Sequence, residues 1–159
     1  MPGGARPEGK PHPCQPVKNR LMNQSRLSVL YFDDEASCLD VFKQMFGDSY
    51  EIRTALTLKE ARRALTEDSF DVVISDYLMP ETDGLTFLQE VAALNPANYR
   101  VMLTGTLGIG NLTHELSAGS VHCFLRKPWN DESIRTAFEL AELSRAERIT
   151  RNGSERVHS

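Results

Sequence analysis

From Leu27 onward, short apolar runs alternate with stretches whose apolar residues recur every three or four positions, which predicts strands alternating with amphipathic helices. Residues 27–32 predict a first strand. Residues 36–46 predict a helix with Cys38, Leu39, Phe42, Met45 and Phe46 on one face, ended by Gly47. Residues 50–55 predict a second strand, after which Thr57 and Glu60 form a capping box for a helix carrying Leu58, Ala61 and Leu65 on one side. The run at 70–75 is the strongest strand, β-branched and nearly all apolar, as the doubly covered centre of a parallel sheet requires. Beyond a loop through Pro80 and Gly84, a helix places Leu85, Leu88, Val91 and Ala92 on one face and stops before Pro96. Residues 101–103 predict a fourth strand, 112–118 a helix of poor propensity closed by Gly119, and 121–125 a fifth strand. Asn130 or Asp131 caps a last helix with Ile134, Ala137, Phe138 and Ala141 in register, running to about Arg148. Five strands alternating with five helices predict an α/β protein with a five-stranded parallel sheet, doubly wound, with helices on both faces.

Composition sets the limits around this unit. With 159 residues, 40% hydrophobic and 25% charged, the chain holds one globular domain, at 27–148. Residues 1–26 contain five of the eight prolines, three glycines and almost nothing apolar, which predicts a disordered basic arm. Met22 offers a second translation start beside Met1. Residues 149–159 read as a polar tail, and nothing beyond the last helix is long enough for an output domain. No run approaches the roughly 20 apolar residues of a membrane span, and the N-terminus lacks a secretory core, so the expected location is cytoplasmic with no membrane partner. Cys14, Cys38 and Cys123 have neither disulfide nor zinc spacing. The arm carries +4 and the rest of the chain −8. An acidic body excludes a nucleic-acid surface, which needs clustered Lys and Arg.

In an open parallel sheet, sites form where the strands end, so the residues that close each apolar run matter most. The first strand ends in Asp33-Asp34-Glu35, the third in Asp76 and the fourth in Thr104, and the fifth leads into Lys127-Pro128. Carboxylates gathered this closely repel one another unless a cation neutralises them. Hard oxygen ligands without His or Cys suit Mg²⁺, which pairs protein carboxylates with phosphate oxygens. Thr104 and Lys127 could then each meet a phosphoryl oxygen, with Asp76 as a carboxylate nucleophile.

In the order Phe32-Asp33-Asp34-Glu35, Ser75-Asp76-Tyr77-Leu78-Met79-Pro80 with Asp83-Gly84, Leu103-Thr104-Gly105 and Phe124-Leu125-Arg126-Lys127-Pro128-Trp129, the chain resembles the receiver domain of bacterial two-component response regulators, in its stand-alone form. The resemblance implies a flavodoxin-like fold and a phosphorelay signalling role without separate enzymatic turnover. It implies Asp76 as phosphoacceptor, charged by a histidine kinase or a histidine phosphotransfer domain. Asp34, Asp76 and the backbone carbonyl of Leu78 would ligate Mg²⁺, and Asp33 would act largely through water. Thr104 and Phe124 match the switch pair, Lys127 would contact the phosphoryl group, and the Lys127-Pro128 peptide would be cis. The output would be an unidentified downstream protein or a phosphorylation-dependent homodimer.

The chain departs from the family pattern at Phe124, which replaces a frequent tyrosine, and at Leu78 and Thr106, where neither an amide nor a carboxylate is present to orient a hydrolytic water. Two rivals stand beside this reading. A small-molecule phosphohydrolase with an Asp nucleophile would need a second Asp where Leu78 stands. A phosphate-independent degenerate receiver would lack an acidic or Lys position, and none is missing. The weaker signals are read blandly: a flexible loop for Gly105, Gly108 and Gly110, no zinc helix at His114-Glu115, a strand-surface His122, and Trp129 packed on the last helix or anchoring a partner.

Overall fold

The computed structural model describes residues 26–105 and 119–158. Five strands, β1 (Ser28–Phe32), β2 (Glu51–Ala55), β3 (Val72–Asp76), β4 (Tyr99–Thr104) and β5 (Cys123–Arg126), form one parallel sheet in the order β2-β1-β3-β4-β5. Helices α1 (Ala36–Phe46), α2 (Leu58–Glu67), α3 (Gly84–Leu94) and α4 (Asp131–His158) accompany it. The predicted helix at 112–118 and the arm at 1–25 lie outside the described residues.

The two-residue period of the strands divides the core into two layers. Val29, Tyr31, Val72, Ile74, Val101 and Leu103 face α1 and α4, where they meet Leu39, Phe42, Phe46, Ile134 and Phe138. Leu30, Phe32, Val73 and Met102 face the other way, onto Ala61 and Ala64 of α2 and Phe87, Leu88 and Val91 of α3. Every residue of β3 is buried, as its composition predicts.

The helix ends obey local chemistry. Thr57 Oγ1 accepts the Glu60 N–H at 3.1 Å while Glu60 Oε1 accepts the Leu56 N–H at 2.7 Å, which is the predicted box shifted by one residue on its return arm. Asp83 caps α3 through the Thr86 N–H, and Asn130, not Asp131, caps α4 through the Ser133 N–H.

Several expectations need correction. On α1 the buried ridge is Leu39, Phe42 and Phe46, and Met45 is exposed. Cys38, Val41 and Met45 form the neighbouring ridge, turned by 100° per residue away from the sheet. On α3 the buried residues are Gly84, Phe87, Leu88 and Val91, while Leu85 and Ala92 of the expected face are half-buried. Strand β4 begins at Tyr99, whose N–H donates to the Asp71 carbonyl at 2.8 Å, and so includes the buried Arg100 that interrupts the apolar run. Helix α4 runs to His158, past the expected end near Arg148. After Pro128 no proline stops it, and Gly153 costs only about 1 kcal/mol. Arg145 Nη1 donates to Asp71 Oδ2 at 2.9 Å and Arg148 Nη1 to the Ala97 carbonyl at 2.8 Å, which fastens α4 to the edge where the strands begin. No helix among the described residues is long and apolar enough to cross a membrane.

Candidate functional site

Strand β1 has β2 on one side and β3 on the other, so the chain changes direction across the β1/β3 crevice, the place where open parallel sheets bind ligands. The ends of these two strands deliver the acidic residues. Asp33 comes directly after β1 and is fully buried, Asp76 closes β3 at 7% exposure, and Asp34 is exposed. Carboxylate oxygens of Asp33, Asp34 and Asp76 lie within 4.8 Å of one another. Thr104, buried at the end of β4, stands one residue beyond Leu103, the register partner of Asp76.

Lys127 closes the group from β5. Its backbone N–H donates to the Thr104 carbonyl at 2.7 Å, continuing the β4–β5 ladder past the last strand residue. Its Nζ lies 3.2 Å from Asp33 Oδ2, 3.3 Å from Asp76 Oδ1 and 3.7 Å from Glu35 Oε1. The peptide between Lys127 and Pro128 is cis. Burial alone would lower the Lys127 pKa, but the charges of Asp33 and Asp76 outweigh it and raise the value above the ordinary lysine range. Asp76 moves upward too, first through burial and then through repulsion by Asp33, with Lys127 pulling the other way.

The direction of the Asp76 shift fixes its effect on stability. A carboxyl whose folded pKa is raised contributes stability below its ordinary pKa, and that contribution is lost as pH rises through the raised value. Ionised Asp76 therefore weighs against the fold at neutral pH. In chelator, Asp76→Asn should melt higher than the native protein at pH 7.5, with the difference closing at acid pH; a lower melting point for the variant at neutral pH would contradict the sign.

The loop after Asp76 is shaped by a close approach. The Gly84 N–H donates to the Tyr77 carbonyl at 2.7 Å, and Leu78 bridges Asp83. A Cβ on Gly84 would lie 2.3 Å from the Asp76 carbonyl oxygen, so glycine is required there by space. Leu78 is 68% exposed. Phe124, half-buried on β5, packs against the α2/α3 layer. Thr106 and His114 lie outside the described residues.

Two residues gained a place that sequence reading did not give them. Tyr31, fully buried, donates its hydroxyl to Asp33 Oδ2 at 2.7 Å. Burial and then Asp33 raise its pKa, against a smaller lowering by Trp129. Trp129 meets Phe42 of α1 edge to face and Phe46 at a tilt, with ring centroids 5.5 and 6.2 Å away. Trp129 belongs to the core layer that α1 shares with the last helix, one of the two places expected for it. The available signal for Tyr31 was a lone phenol in an apolar strand two residues before an aspartate. His122 is exposed as expected, stacked on Tyr99 at 4.9 Å.

A second group, Asp33, Glu35 and Cys38, also converges, but the Cys38 thiol is pushed up to about 11 by burial and by its bond to Glu35. A protonated thiol is a poor ligand, so the all-oxygen set of Asp33, Asp34 and Asp76 is the one that fits a hard cation.

Known proteins agree with this geometry. Residues 29–139 match the model of the response regulator receiver domain. Over 121 residues the chain is 27% identical to the transcriptional regulatory protein ZraR of Escherichia coli, covering 76% of this chain and 27% of that protein. The chain thus spans about a quarter of the length of that relative. A receiver domain from Clostridium thermocellum superimposes with a TM-score of 0.70 at 30% identity, covering 76% of this chain and 97% of that one. The chemotaxis response regulator CheY4 of Vibrio cholerae gives 0.66 at 28%, covering 74% and 99%. Matched by that family model over more than half of its length, and superimposing on solved receiver domains with its five-stranded parallel sheet, the chain belongs to the response regulator receiver domain family.

Proposed function

We propose that Asp76 accepts a phosphoryl group from a phosphohistidine on a kinase or phosphotransfer domain, with Mg²⁺ held by Asp34 and Asp76 directly, by the Leu78 carbonyl, and by Asp33 through water. The observation that carries this is Lys127 Nζ, placed between Asp33 and Asp76 at 3.2 and 3.3 Å in a crevice of three converging carboxylates. Receiver domains generally bind Mg²⁺ at such a pocket, where the cation offsets the charge of the carboxylates and of the incoming phosphoryl oxygens.

The chain's own groups do the rest. An Asp76 oxygen attacks phosphorus, a P–O bond forms as the P–N bond breaks, and the imidazole leaves with the bonding pair and takes a proton. Lys127 can leave the carboxylates for a phosphoryl oxygen, and the Thr104 hydroxyl can donate to another. A shallow apolar groove lined by Cys38, Val41, Met45, Pro128 and Trp129 opens beside Lys127 and offers an approaching helix a surface to rest on. Phosphorylation would then change partner binding, or self-association, through Thr104 and Phe124.

Acetyl phosphate with Mg²⁺ should label the native chain once, on Asp76, and chelator should prevent it. Asp76→Asn should abolish labelling with the fold intact. Undiminished labelling of that variant would sink the assignment.

A further inference from the structure

Asp33 is held by more than its charge. Its Oδ2 accepts the Tyr31 hydroxyl at 2.7 Å and faces Lys127 Nζ at 3.2 Å, while its Oδ1 accepts the Glu35 N–H at 3.0 Å. A carboxylate offers about four lone-pair sites, so three are engaged by the chain itself and one is left for a water or a cation. The Tyr31 bond is a product of strand geometry. Residues i and i+2 of a strand lie on one face about 6.6–6.8 Å apart, a gap that a phenol can span and shorter side chains cannot. The ring is fixed against Phe42 at 4.7 Å, and the hydroxyl is sealed from water.

Resting on the proposed Mg²⁺ site, we infer that Tyr31 is a positioning residue for that site, setting the rotation of the Asp33 carboxylate so that its remaining lone pair faces a water on the cation shared by Asp34 and Asp76. Lys127 cannot hold Asp33 alone, because it also serves Asp76 and has to move when a phosphoryl group arrives. Tyr31 has no such second partner among the acids, and its bond survives that exchange. Groups that orient metal-site ligands typically contribute 10–100-fold in affinity.

Mg²⁺ binding to the full chain, measured by titration calorimetry, provides the test. Tyr31→Phe should weaken binding about tenfold. In an Asp33→Asn background the same change should leave the Mg²⁺ affinity within twofold, since the effect runs through the Asp33 carboxylate. Site-specific replacement of Tyr31 by 3-fluorotyrosine keeps the ring and the bond, and its ¹⁹F resonance should shift on saturation with Mg²⁺, even if Tyr31→Phe does not fold. An affinity for Tyr31→Phe within twofold of the native protein, an equal loss in the Asp33→Asn background, or an unmoved fluorine resonance would each overturn the inference. A native chain that binds no Mg²⁺ would overturn this inference together with the proposed metal site, whereas normal native binding with an indifferent variant overturns the Tyr31 role alone.

Discussion

Lys127→Met should slow labelling of Asp76 by acetyl phosphate about 10²–10³-fold, the usual cost of losing one preorganised group that meets developing charge. Methionine keeps an unbranched stem of similar reach, so the change removes the ammonium and little else. What is lost is an ammonium that sits 3.3 Å from Asp76 and can move with the incoming oxygens. Mg²⁺ binding should move the other way or not at all, because Lys127 competes at rest for the carboxylates that hold the metal. With the ammonium gone, the Asp76 pKa rises further, so the acid side of the pH–rate profile shifts to higher pH. A rate loss below about fivefold, or a loss matched by weaker Mg²⁺ binding, would mean that Lys127 only gathers the acids.

Gly84→Ala should destabilise the domain by about 1–3 kcal/mol, the range for forcing a methyl group into filled space. The clash is with backbone, the Asp76 carbonyl oxygen at 2.3 Å and the Tyr77 Cα at 3.0 Å, and no flexible side chain can yield. Relief requires the loop to shift, and the loop carries Leu78. Thermal unfolding should report a fall of about 2–4 °C per kcal/mol. Labelling of Asp76 should slow as well, even at temperatures where the variant is fully folded. A melting point within a degree of the native value would show that the loop accommodates the methyl group.

The strand ends were legible because a run of alternating or continuous apolar residues stops abruptly where the sheet meets solvent, and Asp33, Asp76, Thr104 and Lys127 stand at those stops. Which helix face is buried was less legible. Cys38 and Leu39, or Met45 and Phe46, are adjacent in sequence and equally apolar, and only the docked sheet chooses between ridges 100° apart. Arg100 hid the start of β4 since a guanidinium inside an apolar run reads as solvent-facing. Its acceptors include the Asn98 side-chain oxygen at 2.7 Å and the carbonyls of Gly119 and Ser120, the last two distant in sequence and visible only in three dimensions. Tyr31 was masked for the opposite reason: a phenol in a strand reads as core filling, which it also is.

Strand β5 is tied at both ends. At its start, Arg100 and His122 exchange backbone and ring bonds at 2.8 and 2.9 Å, and the Arg100 guanidinium holds Ser120 and Gly119. At its end, the Lys127 N–H is bound to Thr104. Sliding by one residue would take about 3.3 Å and turn every side chain to the opposite layer, breaking both ties. Phe124 lies between them, on a strand that pairing holds against translation at both ends. Any rearrangement that keeps this pairing intact is confined to side-chain rotation on β5 or to β4 and β5 travelling together.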